Sequence, residues 1–372
     1  MTLNFFFESI EKQYNNQFPF VAYRKPNKLE VQAILQKTDT LHVTKDFNES
    51  GFVFSPFDDK DATVLIPINI SEVISNSFVT LSAVETSQMN NTVINEVTKE
   101  KYINLINKGI QAIHQNEFEK VVLSRQESVK LSESNPLSIL KNLLNTYPSA
   151  FVYCWYHPKV GLWLGATPET LLKIEGNRFS MMALAGTQDY TGALDVVWQE
   201  KEKKEQQFVT DFIIENLKPS AENFKVSAIE TVKAGNLVHL KTMISAQLKR
   251  DVSLKQVINA MHPTPAVCGS PKDSSKQFIL KNEPYNREFY TGFLGELNIE
   301  KTIAPRSGRR NIENRAYAIT RQTTQLYVNL RCMQIKDDTA ILYVGGGITK
   351  DSNPENEWQE TVSKSMVIKN VL

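Results

Sequence analysis

The chain has 372 residues, enough for one large domain or two ordinary ones with a substantial core. Its 42 Lys and Arg against 41 Asp and Glu leave a net charge of +1, a balance that argues against nucleic acid or an anionic membrane as the main partner. No apolar run approaches the roughly 20 residues needed to cross a bilayer.

The chain opens on Met1-Thr2-Leu3-Asn4-Phe5-Phe6-Phe7-Glu8, an apolar patch with no basic flank before it and no small-residue cleavage site. No signal peptide is expected there. Cys154, Cys268 and Cys332 stand singly, without CxxC spacing, so a cytoplasmic protein with buried thiols is expected.

Up to about residue 100, short apolar stretches at 18–23, 51–56 and 62–67 alternate with polar turns and predict strands. Residues 91–116 carry Val93, Val97, Tyr102, Leu105, Ile106, Ile110 and Ile113 at helical spacing. The β-branched run at 120–125 predicts a strand. A helix over 136–147 follows, with Asn135 as N-cap and Pro136 in the first helical position. Strands are predicted at 151–156 and 160–166, joined by a turn at His157-Pro158-Lys159, and again at 171–174 and 178–185. Residues 195–217 read as a long charged helix whose apolar positions include Val196, Val197, Phe208, Phe212 and Ile213. Short strands follow at 227–232, 237–248, 292–298, 324–334 and 340–345, and a closing helix starts near Pro354. Strand runs broken by a few helices, without regular βαβ alternation, predict an α+β fold dominated by antiparallel sheet. No Pro-, Ser- or Gly-rich linker divides the chain, so a single domain is expected. The basic cluster around Arg306 to Arg315 reads as a solvated loop.

The C-terminal stretch carries the most chemistry. Gly345-Gly346-Gly347 predicts a flexible lead into a turn, and the helix beyond holds Glu357, Glu360 and Lys364. Side chains three and four apart share a helical face, so two carboxylates and an ammonium point the same way. Paired carboxylates suit a hard cation such as Mg²⁺, and the lysine with the glycine amides suits an anionic substrate beside it. No phosphate-loop spacing surrounds the glycines, and no Ser-His-Asp, zinc or dinucleotide pattern occurs elsewhere.

Other positions each admit two readings. Glu205 lies in the charged segment 200–206, by composition a solvated helix face, and a role for it requires the fold to bring it to the other carboxylates. Glu169 sits just past the rigid turn at Thr167-Pro168, either on the surface or displayed at a strand end. Lys120 opens an apolar strand, as an edge guard or as a desolvated base. Arg331, within an apolar strand, needs an anionic partner, internal or bound. The loop 262–271 holds three prolines and is stiff enough to position a ligand.

KVVLSR, LGATPETLL, ALAGT, the charged helix ending Lys204-Glu205-Gln206, HPTPAVCG, REFYTGFLG, LYVNLRC and GGGITKDSNPENEWQET occur in the order found in the chorismate-utilising enzymes. The chain resembles that family over residues 101–372, and within it the isochorismate synthases most. Residues 1–100 match only in general character, as the N-terminal part of the same fold. The resemblance implies two large antiparallel sheets packed together and flanked by helices, around a chorismate-binding site with Mg²⁺. It implies Lys120 as the general base that activates water, Glu169 as the general acid, and Glu205, Glu357 and Glu360 as Mg²⁺ carboxylates. Gly186, Thr187, Tyr290, Arg331, Gly345 and Lys364 would hold the substrate. Water would attack C2 of chorismate as the C4 hydroxyl leaves, giving isochorismate for menaquinone or siderophore synthesis.

Within the family, ammonia-using members that make anthranilate lack a lysine at the position of Lys120. Aminodeoxychorismate synthases typically carry a nucleophilic lysine in the segment that here reads Ala183-Leu184-Ala185-Gly186-Thr187, where Ala185 cannot serve. Salicylate synthases tend to have threonine where this chain has Ala266. The resemblance therefore implies the water-using isomerase, with salicylate synthase (isomerisation followed by pyruvate loss) as the alternative. It also implies a monomer without a glutaminase subunit. The chain departs from many relatives at Gln206, where they have histidine.

Overall fold

The computed structural model describes residues 2–79, 96–131, 135–234, 237–303 and 319–372. One antiparallel sheet runs, edge to edge, Gly269–Ser270 (β15), Lys120–Lys130 (β7), Thr339–Ile348 (β19), Cys332–Lys336 (β18), Gly161–Thr167 (β9), Phe151–His157 (β8), Phe20–Arg24 (β1), Glu30–Gln36 (β2) and Ser71–Ser77 (β6). The other runs Ala221–Val226 (β12), Leu237–Leu248 (β14), Arg178–Asp189 (β11), Thr170–Glu175 (β10), Ile319–Val328 (β17), Phe293–Ile303 (β16), Gly51–Ser55 (β4), Thr63–Pro67 (β5) and His42–Thr44 (β3). Glu230–Ala234 (β13) also pairs with β14. The helices are Leu3–Asn15 (α1), Glu96–His114 (α2), Pro136–Thr146 (α3), Glu200–Leu217 (α4), Leu254–Met261 (α5), Lys272–Asn282 (α6) and Pro354–Lys369 (α7). The chain thus adopts the expected architecture of two large antiparallel sheets flanked by helices. Strands from the first hundred residues lie in both sheets.

Strand alternation explains the layers, since successive side chains leave a strand on opposite faces. In β8, Phe151, Tyr153 and Trp155 point into the space between the sheets, while Val152 and Cys154 meet the helical layer of α1, α3 and the end of α7. In β4, Phe52 and Phe54 face inward and Val53 faces the layer of α4 and α5. The inner space is filled by rings, with Phe151 on Tyr327 at 4.0 Å and Phe54 on Phe289 at 4.2 Å between centroids. Burial on both faces is why these strands read as unbroken apolar runs.

Capping fixes several helix starts. Asn135 Oδ1 accepts from the amide of Leu137, and Asn353 caps α7 through the amides of Glu355 and Asn356. The 195–217 helix is shorter than its charge pattern suggests. It begins at Glu200, and Val197 is exposed rather than part of an apolar stripe. The strand predicted at 227–232 is borne out only from Glu230, where β13 starts, while β12 ends before it at Val226. Helices α1, α5 and α6 have no counterpart in the sequence reading. The start of the 91–116 helix and the basic cluster at 306–315 lie outside the described residues.

Two corrections bear on function. The predicted strand 324–334 is two strands in different sheets, β17 and β18, and Arg331 lies in the bend between them with φ 48°. Asn329 fixes that bend: its Oδ1 accepts from Tyr153 at 2.6 Å, its Nδ2 donates to Phe289 O at 2.9 Å, and its amide donates to Gly292 O. The triple glycine is not a flexible lead but part of β19, in register with Ser124, Leu123 and Val122 of β7. Extended backbone suits glycine here because side chains from other elements press against it.

A second chain crossing runs beside the first. Pro168 and Glu169 carry the chain from β9 to β10, from one sheet to the other, just as residues 329–331 carry it back from β17 to β18. The two crossings are tied by Val328 N donating to Glu169 O at 3.1 Å and Ala166 N to Arg331 O at 3.0 Å. Replacing Asn329 with alanine strands a buried tyrosine hydroxyl and a buried carbonyl, so Asn329→Ala should lose about 2–4 kcal/mol of stability in urea denaturation.

Candidate active site

Lys120 opens β7 and is 2% exposed. It is no edge guard, because β15 pairs there, Ser270 opposite Lys120, and covers the strand. Ser275 Oγ anchors the Lys120 carbonyl at 2.9 Å. From α4, Glu205 reaches the same place, with its Oε1 3.9 Å from Lys120 Nζ.

The glycines of β19 form the floor beneath them. A Cβ on Gly347 would stand 2.9 Å from Lys120 Cε and 3.1 Å from Glu205 Oε1. One on Gly346 would stand 3.5 Å from Glu357 Oε2 and 3.7 Å from Glu360 Oε1, and one on Gly345 would collide with Leu123 O at 2.6 Å. Glu357 and Glu360 project from the first two turns of α7, as their spacing predicts. Lys364, one turn on, donates to Gly345 O at 2.9 Å and to Glu360 Oε1 at 2.5 Å. Burial pushes the Glu360 carboxyl up, but the ammonium groups of Lys364 and Lys201 outweigh it and hold the carboxyl below its usual range.

Glu169 is 4% exposed at its crossing. Burial raises its pKa to about 8, against the opposing pull of Arg331 and Lys120, so it keeps its proton at neutral pH. Arg331, at the neighbouring crossing, makes no ion pair among the described residues. It faces two adjoining cavities, one of about 90 Å³ and one of about 240 Å³, which also share Leu184.

The smaller cavity gathers Lys120, Glu169, Gly186, Thr187, Glu205, Tyr290, Arg331, Gly345, Glu360 and Lys364. Of the positions singled out from the sequence, only Glu357 stands outside its lining, behind Gly346. Gly186 takes φ 74° at a bulge in the β11–β14 pairing, a conformation that favours glycine, and presses on Glu202. Tyr290 is set by stacking on Tyr343, 5.5 Å between centroids.

His239 of β14 also lines the cavity and was not picked out by spacing. Its Nδ1 lies 3.0 Å from Gly186 O. A carbonyl only accepts, so Nδ1 carries the proton and the buried Nε2, without a partner among the described residues, is left as an acceptor. Burial, reinforced by Arg331, lowers the imidazole pKa to about 3, and the ring is neutral.

The donor set suits a hard divalent ion in kind, since it offers only oxygen, and the buried Oε2 atoms of Glu357 and Glu202 have no hydrogen-bond partner among the described residues. As placed, no three acidic, histidine or cysteine side chains among the described residues converge as a ligand set. Each glutamate instead answers a lysine: Glu205 to Lys120, Glu360 to Lys364, and Glu357 to Lys201, whose Nζ lies 2.6 Å from Oε1.

The family described as chorismate binding enzyme matches residues 58–372. The isochorismate synthase MenF of Pasteurella multocida is 29% identical over 283 residues, 72% of this chain and 60% of that protein. DhbC of Bacillus subtilis, also an isochorismate synthase, is 27% identical over 285 residues, 71% of this chain and 66% of that one. The chain therefore spans about 60–66% of the length of these curated relatives. Among solved structures, DhbC from Bacillus anthracis, assigned as a 2,3-dihydroxybenzoate-specific isochorismate synthase, superposes with a TM-score of 0.76 at 22% identity, covering 97% of this chain and 98% of that one. With most of its length matched and the same two-sheet fold around this cavity, the chain belongs to the chorismate-binding enzyme family.

Proposed function

We propose that the protein is an isochorismate synthase, isomerising chorismate to isochorismate with Mg²⁺ as cofactor. The observation that carries this reading is the cavity in which buried Lys120 and a protonated Glu169 sit beside Arg331, Lys364 and the glutamates of α4 and α7. Relatives named as isochorismate synthases support it.

In this reading, Arg331 and Lys364 hold the carboxylates of chorismate, while Gly186, Thr187, Gly345 and Tyr290 shape the walls around the ring. Mg²⁺, held by Glu205, Glu357 and Glu360, would neutralise and fix one carboxylate. Lys120 takes a proton from the water that attacks C2. Glu169 gives its proton to the C4 hydroxyl, which leaves as water while the ring double bonds shift. One water enters and one departs, so the product is an isomer.

Ala185 and Ala266 both line the cavity with methyl groups. Neither supplies a nucleophile or a hydroxyl, which favours ending at isochorismate over amine transfer or pyruvate loss. The enzyme would work in the cytoplasm as a monomer without a glutaminase subunit, feeding menaquinone or siderophore synthesis.

Chromatography after incubation with chorismate should show isochorismate formed only with Mg²⁺. Pyruvate in equal amount would mark a salicylate synthase instead, and absence of both products would reject the reading. Lys120→Met and Glu169→Gln should each lower kcat by about 10²–10⁴ with circular dichroism unchanged, the range for losing one acid or base.

Ionisation of Glu169 sets two pH dependences. As a proton donor it fails as pH rises through about 8, so kcat/KM should fall there. The same carboxyl ionises near 4.5 when unexceptional, so the native state binds the extra proton between about 4.5 and 8 and loses stability as pH rises across that window. Glu169→Gln cannot ionise. Its melting temperature relative to wild type should be higher at pH 8.5 than at pH 5, and a constant difference would contradict the buried-acid assignment.

A further inference from the structure

Lys201 occupies a position that its place in the sequence does not favour. It lies in the first turn of α4, where the helix dipole disfavours a cation and the N-cap residue Gln199 makes no side-chain cap. Glu200, beside it, pairs with Lys203 in solvent. Lys201 instead sends its ammonium across to α7, 2.6 Å from Glu357 Oε1, which also accepts from Ser352 Oγ at 2.7 Å. Glu357 is 2% exposed, and its other oxygen has no partner among the described residues.

The ammonium also feels Glu205 and Glu360, so one lysine interacts with all three carboxylates assigned to the metal. Buried carboxylates without a counter-charge would repel one another and drive water into the fold. A lysine ammonium and a divalent ion compete for the same lone pairs, and both cannot take Glu357 Oε1 while Ser352 also holds it.

We propose that Lys201 is a built-in competitor for the divalent ion: its ammonium neutralises the glutamate cluster and must leave Glu357 before the ion can be coordinated there. This inference rests on the proposed metal chemistry and concerns a positioning residue. Lys201 sets how tightly the ion binds, and it is assigned no part in the proton transfers.

Equilibrium binding of Mn²⁺, followed by the electron paramagnetic resonance of the free ion, tests it without turnover. Lys201→Met should bind Mn²⁺ about tenfold more tightly than wild type or more, because a unit charge within hydrogen-bond distance has been removed. Lys203→Met, on the solvent side of the same helix, should leave the affinity unchanged. Without metal, Lys201→Met should melt at a lower temperature than wild type and recover with added Mn²⁺, as mass action requires. If the methionine variant does not fold, Lys201→Gln keeps a donor toward Glu357 without the charge and should show the same tightening. Equal or weaker Mn²⁺ binding in the Lys201 variants, with wild type binding normally, overturns the inference and leaves the metal reading intact. No binding by any of the proteins at millimolar Mn²⁺ overturns both.

Discussion

The site depends on two chain crossings that run side by side between the sheets. Strands β9 and β18 pair in one sheet and β10 and β17 in the other, so the chain changes sheet twice at one place. The hydrogen bonds Val328 N to Glu169 O and Ala166 N to Arg331 O keep the crossings paired where sheet pairing would otherwise stop. Backbone that leaves one ladder before joining the next must find partners elsewhere. The backbone of Asn329 finds them in Gly292 O and the amide of Thr291, and its buried side chain bonds Tyr153 and Phe289. The consequence is chemical. A carboxyl and a guanidinium are delivered to the seam between two apolar layers, where water that would level their acidities is excluded.

Opposite that seam, packing and charge constrain one another. Helices α4 and α7 can bring their glutamates against β19 only because residues 345–347 present no side chains. Gathering three carboxylates in so little space is unfavourable unless each meets a cation. The fold meets this with Lys364 from α7 and Lys201 from α4 at hydrogen-bond distance from Glu360 and Glu357, while Lys120 of β7 stands 3.9 Å from Glu205. Every ionisable group in the cluster is thus held by an element other than its nearest neighbour in sequence or by a partner one helical turn away. The geometry is then as stiff as the packing of the elements themselves.

Much of this was legible in the sequence, and the limits have physical causes. The α7 face could be read because helical spacing alone places Glu357, Glu360 and Lys364 together, with Asn353 and Pro354 marking where the helix starts. The sheet-dominated fold could be read from alternating and unbroken apolar runs. The split of 324–334 could not, since apolar character continues through Leu330 while the break is made by tertiary hydrogen bonds to Asn329 and by the positive φ of Arg331. The triple glycine looked like a turn because local propensity favours one; its strand conformation comes from β7 and from side chains of other elements, among them Lys120, Glu205 and Glu357. Lys201 and His239 carried no local signal. One sits in a charge run that resembles any solvated helix, and the other is a single histidine in an apolar strand. Helix α1 did have a signal, Thr2 before Phe6, Phe7 and Ile10, which the short apolar patch obscured.

The opposed acidities of the site follow from what surrounds each group at its crossing or on its helix. Glu169 is nearly fully buried at its crossing, so burial dominates and the carboxyl stays protonated to about pH 8. Glu360 keeps 29% of its side chain exposed, stands beside Lys364 and within reach of Lys201, and its carboxyl is held below its usual range. Two glutamates facing one cavity thus differ in charge at the same pH, because burial outweighs the pull of Arg331 and Lys120 on one, while Lys364 and Lys201 outweigh burial on the other. Such a division suits a reaction that needs a proton donor and an anionic clamp within one ring's width. Ala185 and Ala266, which also line the cavity, carry no charge. The division of charge is built into the crossings and helices, and those side chains contribute nothing to it.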